Sequence, residues 1–277
     1  PQTKEELLDN LKTINLNDQD LKREATLDEI LEILDMTIKF DNSVKAIVFL
    51  TCLTAFTENE QQNIDMAGES TVGKTYTIGE VLDFFPKDPK DTIIKKHSVT
   101  KMAFFYDENN KTVDKDTLEE VILIRPLSKD FPNDEVYREK MQEYMKTKRN
   151  SVSLQDFERK IVWLPDMPDT EVMEKLRPML SHDDKLVKHL STTLAKYGHT
   201  SKNFWIKGFP VFIICSANAY LDEQDASRVF QLNPEWNPEK EKACRDLKDL
   251  RESSPKFNEE LESNPKRIWL KERIKEI

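Results

Sequence analysis

The sequence predicts an α/β fold of three layers, with a mainly parallel sheet between helices, on three observations. Between residues 61 and 236, short apolar runs alternate with charged segments of helical periodicity, the texture of parallel strands covered by helices. The flanks, 1–60 and 237–277, have helical patterning. Finally, two of only five glycines stand five positions apart in Gly68-Glu69-Ser70-Thr71-Val72-Gly73-Lys74-Thr75, directly after an apolar run.

The elements follow in order. "TLDEILEILDMTIKF" carries Leu27, Ile30, Leu31, Ile33 and Leu34 at helical spacing, with Thr26 as N-cap and Glu29 three residues later. Asp41 to Phe56 is expected as a second, more buried helix. The strand candidates are "NIDMAG" (63–68), "TIIKK" (92–96), "KIVWLP" (160–165), "PVFIICSA" (210–217) and "RVFQLN" (228–233). The polar stretch 107–159 is expected as an insertion, holding one further strand candidate, "EEVILIRP", and a helical "NDEVYREKMQEYMKTKR". From Asn237 a charged helical tail follows, as a lid or linker. A start at Pro1 and a stop in "KERIKEI" are expected of a piece of a longer protein.

Composition narrows the class. Charged residues make up 34% and apolar residues 38%, and the longest apolar runs are too short to span a bilayer. No signal peptide is legible. Cys52, Cys215 and Cys244 show no metal-ligand spacing and fit reduced intracellular thiols, so a cytoplasmic setting is expected. A net charge of -10 argues against generic coating of nucleic acid. Contact with a polyanion then needs a local basic patch.

Gly-x-x-x-x-Gly-Lys-Thr between a strand and a helix is the phosphate-loop pattern. Glycines let backbone N–H groups from Gly68 to Gly73 wrap a phosphate, and the helix that follows adds its N-terminal dipole. Lys74 would reach the β- and γ-phosphates of ATP, and Thr75 would give a hydroxyl to Mg²⁺. The nucleotide-binding set is therefore Gly68, Glu69, Ser70, Thr71, Val72, Gly73, Lys74, Thr75 and Tyr76. A second strand should end in an acid on the metal side, and "KIVWLPDMPD" supplies Asp166. Met167 follows where a water-positioning Glu often stands, which leaves Asp169, Glu171 or a different way of positioning the water for that role. Asn218, at the tip of "PVFIICSAN", could sense the γ-phosphate and orient water. Arg228 could act as an arginine finger on a neighbouring subunit's nucleotide.

Lys185 to Lys207 contains five lysines, two histidines and no acid. With Gly198 mid-way it reads as a hairpin, placing Lys196, His199 and Lys202 near its tip. Tyr197, Phe204 and Trp205 are interleaved, a pattern suited to single-stranded nucleic acid, although at least one of Phe204 and Trp205 is expected in the core.

The order of these parts resembles AAA+ ATPases, especially the superfamily 3 helicases of viral, plasmid and mobile-element replication. The stretch "LRPMLSHDDKLVKH … SKNFWIKGFPVFIICSAN … DEQDASRVFQLNPE" is similar to the ATPase portion of archaeal primase-helicase proteins. The resemblance covers roughly residues 61–236. It implies a P-loop NTPase core, with Lys74 and Thr75 at phosphate and Mg²⁺, Asp166 at the metal and Asn218 as sensor. It also implies Arg228 as a finger in trans and Lys196, His199 or Lys202 at DNA. The function so implied is an ATP-driven replicative helicase module, acting as a hexameric ring on single-stranded or forked DNA. The composition leaves two other classes open: a small-molecule or nucleotide kinase, and a loader or regulatory ATPase that does not unwind.

Overall fold

The computed structural model describes residues 23–69, 72–87, 92–96, 110–195, 198–217 and 223–277, with the backbone alone at 190–195, 198–202 and 223. The chain divides into two compact units.

The first unit is built on a five-stranded sheet. Its strands are β1 (Ile64–Ala67), β2 (Ile93–Lys95), β5 (Ile161–Leu164), β8 (Val211–Ser216) and β9 (Phe230–Leu232), in the order β2-β5-β8-β1-β9. All four pairings are parallel. Every residue of β1, β5 and β8 is buried, which explains why they read as continuous apolar runs. Side chains still alternate between faces. Ile64, Met66, Trp163, Ile213 and Cys215 share a core with α1 (Leu27–Asp35), α2 (Asn42–Thr54), α3 (Lys74–Leu82) and α9 (Pro265–Lys275). Asp65 and Ser216 belong to the alternate set of positions.

Local chemistry sets the boundaries. Thr26 and Glu29 form the expected capping box on α1, worth about 1 kcal/mol. The Asn63 side chain accepts from the Phe212 N–H at 2.9 Å, and its backbone carbonyl accepts from Phe230 at 2.7 Å. One residue thus aligns β8 and β9 on either side of β1. After the short α6 (Glu223–Ala226), the C-terminal helices α7 (Pro238–Ser253), α8 (Pro255–Glu262) and α9 each begin with an Asn or Ser cap followed by Pro. At Asp83, burial alone would raise the carboxyl pKa. Hydrogen bonds from Lys271 and Lys87 outweigh it and bring the pKa to about 2.

The second unit holds a four-stranded sheet, order β3-β4-β7-β6: β3 (Lys111–Asp114), β4 (Ser151–Asp156), β6 (Leu186–Ala195) and β7 (Gly198–Lys207). It also holds α4 (Asp134–Asn150) and α5 (Thr170–Leu180). The expected strand in "EEVILIRP" is corrected to a single antiparallel bridge at Glu120, with Ile122 and Ile124 about four-fifths exposed. Apolar composition alone did not supply a pairing partner.

The expected hairpin is present. β6 and β7 pair over ten positions, from Leu186↔Lys207 to Ala195↔Gly198. β4 supports only Phe204 to Lys207. The outer part of the hairpin therefore pairs only with itself among the described residues, and each arm is about 34 Å long. Phe204 and Trp205 are both buried and so are not free stacking platforms. Being on successive positions of β7, they point to opposite sides of the sheet. No helix among the described residues is long and apolar enough to cross a membrane.

Candidate functional site

In an all-parallel sheet every strand delivers its C-terminal end to one edge, where open α/β sheets bind their ligands. At this edge the chain places the loop from Gly68 to Gly73 after β1, Asp166 after β5, and Ser216 at the end of β8 between them.

Both loop glycines adopt conformations that L side chains avoid. Gly68 has φ 139° and Gly73 φ 88°. A Cβ on Gly73 would meet nothing within 4 Å, so its glycine is required by backbone torsion rather than crowding. Gly73 is also the N-cap of α3 and offers no side-chain cap. The first-turn amides of α3 are thus left to another acceptor. Lys74 is buried, and its ammonium folds back over the loop, donating to the carbonyls of Gly68 and, at 2.7 Å, Glu69. Thr75 and Asp166 are exposed. Ser70, Thr71, Asn218 and Lys196 lie outside the described residues. His199 and Lys202 sit on β7, five residues or fewer from the hairpin turn, in the second unit. Asp169 is also in that unit, at the N-cap of α5.

Arg228 precedes β9 at the opposite edge of the sheet, level with the start of β1. Its guanidinium donates to the Gln224 carbonyl at 2.8 Å and faces Asp225 at 3.5 Å. The length of β1, about 13 Å, separates it from the loop of its own chain.

Three features escaped the sequence reading. The first is Asp65, fully buried on β1, whose two carboxylate oxygens have no hydrogen-bond partner within 3.5 Å. Ser216 Oγ, on the neighbouring strand, is likewise unpartnered. Burial pushes the Asp65 carboxyl above the usual range, while the Lys74 charge pulls the other way without offsetting it. A charged residue inside the apolar run "NIDMAG" was the available signal.

The second is a cleft of about 750 Å³ beside the first turn of α3, lined by Val72, Gly73, Tyr76, Thr77, Trp236 and Lys240 among others. Tyr76 Oη donates to the Thr37 carbonyl at 2.9 Å, and Arg251 on α7 reaches Glu80 at 2.7 Å and Tyr76 Oη at 3.2 Å. The cleft therefore has two aromatic rings, Tyr76 and the largely exposed Trp236, on walls tied together by α7. The third is a buried ion pair between Lys240 and Asp41, with further bonds from Lys240 to the Val72 and Glu235 carbonyls, each at 3.2 Å.

No group of three or more His, Cys, Asp or Glu side chains among the described residues could hold a metal by itself. The loop and the Thr75–Asp166 set fit Mg²⁺ only as a companion of phosphate oxygens, which is how that ion is ordinarily bound. Cys215 has its thiol pushed up by burial, consistent with a packing role.

No family model and no curated protein matches the chain. Among solved structures it is similar to the A form apo structure of the NrS-1 C-terminal region, with TM-score 0.36 and 14% identity, covering 92% of this chain and 50% of that one. A second apo structure of that region, residues 305–718, gives TM-score 0.33 and 12% identity, with 92% and 53% covered. The chain spans about half the length of both. At these values the shared superposable structure is too small to bear on function.

Proposed function

We propose that the chain is an ATP-hydrolysing nucleic-acid motor, a DNA helicase module of replication that works as a ring of copies. One observation carries the reading. At the carboxyl edge of a parallel sheet, a loop with two positive-φ glycines leads into an uncapped helix whose first residue is a buried lysine turned over the loop. That is a cradle for a triphosphate. Lys74 would leave the two carbonyls and follow the phosphate charge. The nucleoside would occupy the adjoining cleft against Tyr76 and Trp236. Mg²⁺, when bound, would neutralise phosphate charge, with Thr75 and Asp166 on its side.

Two further placements bear on the motor reading. Arg228 is out of reach of its own loop, so a role at the phosphates requires a second copy. The outer β6–β7 hairpin projects past its supporting sheet with Lys202 and His199 on the backbone path, as a strand-contacting arm would.

The test is the ATPase rate per subunit against protein concentration, with and without single-stranded DNA. The rate should rise with concentration and with DNA, and be absent in Lys74→Ala. No turnover together with no calorimetric heat on adding MgATP would overturn the proposal.

A further inference from the structure

We propose that Lys240 is a positioning residue that couples the conformation of the Gly68–Lys74 loop to the C-terminal helices. The side chain enters from α7 and is almost fully buried. Its three N–H donors meet three acceptors from three separate segments. These are the Asp41 carboxylate in the turn between α1 and α2, the Val72 carbonyl in the loop, and the Glu235 carbonyl before α7. The ammonium is thus fully satisfied, and each segment is held through the same atom.

The contact with Val72 has a directional consequence. A trans peptide is planar, with its C=O and N–H pointing opposite ways. Drawing the Val72 oxygen toward Lys240 therefore turns the Gly73 N–H the other way, away from α7. Gly73 opens α3 with φ 88° and no side-chain cap. Its amide is one of those an anion at the helix start would meet. Lys240 thereby sets that amide through the main chain.

The Asp41 side of the clamp shows how firmly the arrangement is specified. Phe40 and Asp41 are consecutive non-glycine residues at φ 61° and 52°, a conformation that persists only where surrounding contacts over-determine it. Asp41 also stands at the N-cap of α2 yet makes no cap bond. Its carboxylate is given to Lys240 instead.

This inference rests on the proposed reading of the loop as a triphosphate site, and its test separates the two. Calorimetry with MgATP and amide hydrogen exchange are run on wild type, Lys240→Met and the double variant Asp41→Asn/Lys240→Met. The double variant leaves no buried unpaired charge and decides the matter if the single variant fails to fold. MgATP binding is expected to weaken at least tenfold in the folded variants. Nucleotide-dependent protection of α7 amides should also be lost. Wild-type affinity in a folded variant would overturn the proposal. If wild type itself binds no MgATP, the triphosphate reading falls. The coupling is then judged from nucleotide-free exchange of the 68–74 amides, expected to be at least tenfold faster in the double variant and overturned by equal rates.

Discussion

The Lys74 ammonium donates to the Glu69 carbonyl at 2.7 Å, so the first residue of α3 closes back across the loop that precedes it. With the bond to the Gly68 carbonyl, the contact gives both loop carbonyls a donor and leaves the lysine side chain buried. It also keeps the side chain where an entering phosphate would find it.

Lys74→Ala should therefore remove MgATP binding more than it disturbs the fold. Losing about 3 kcal/mol of charge-assisted hydrogen bonding corresponds to roughly a 150-fold weaker Kd. Calorimetry at constant salt measures it. An unchanged Kd would detach the lysine from phosphate.

Gly73→Ala and Gly208→Ala should differ sharply. Both glycines have φ 88°, but a Cβ on Gly73 meets open space, whereas on Gly208 it lies 2.5 Å from the Glu158 backbone nitrogen. The first change should cost only the left-handed torsion, about 1–2 kcal/mol. The second must displace main chain between β4 and β5, and should destabilise by more than 3 kcal/mol. Chemical denaturation of the two variants compares them directly, and equal losses would contradict the geometry.

Asp65→Asn should stabilise the folded chain at neutral pH, by about 1 kcal/mol. The wild-type carboxyl has a folded-state pKa above its unfolded value. The native state then holds the proton longer, and stability falls as pH rises from about 4 through the raised pKa. The variant lacks this loss, so the two stability curves should converge near pH 4 and separate above it. Denaturant midpoints across that range provide the check. A gap that is independent of pH would show that Asp65 does not titrate as described.

Lys196→Ala combined with Lys202→Ala should weaken single-stranded DNA binding and reduce the slope of log K against log salt. Two lost phosphate contacts correspond to about 1.4 in that slope. Fluorescence anisotropy at several salt concentrations gives both quantities. Parallel lines for wild type and variant would place DNA elsewhere.

β5 and β8 were legible because strands buried on both faces leave near-continuous apolar runs, and β1 because Asp65 alone interrupts one. β1, β2, β5, β8 and β9 all fall inside the segments expected. The glycine loop was legible because torsional demands exclude other residues. What escaped depends on distance in sequence. Lys240 and Asp41 are 199 residues apart and appear separately as ordinary surface charges. "EEVILIRP" has strand composition, yet strand formation needs a neighbour, and only Glu119 to Val121 meet one, around the single bridge at Glu120. Phe204 and Trp205 read from sequence as at least one core residue, and both are buried because β7 pairs there with β4, whose register no local pattern records.

β8 lies between the strand that carries the loop and the strand that carries Asp166, so those two groups stand two strand spacings apart, close to 10 Å. Anything that engages both must lie across the tip of the middle strand, which ends in Ser216 with Ala217 next. Smallness at that tip becomes a clearance requirement. A bulky residue at Ala217 would act as a doorstop, leaving the loop and the acid each intact but unable to share one guest.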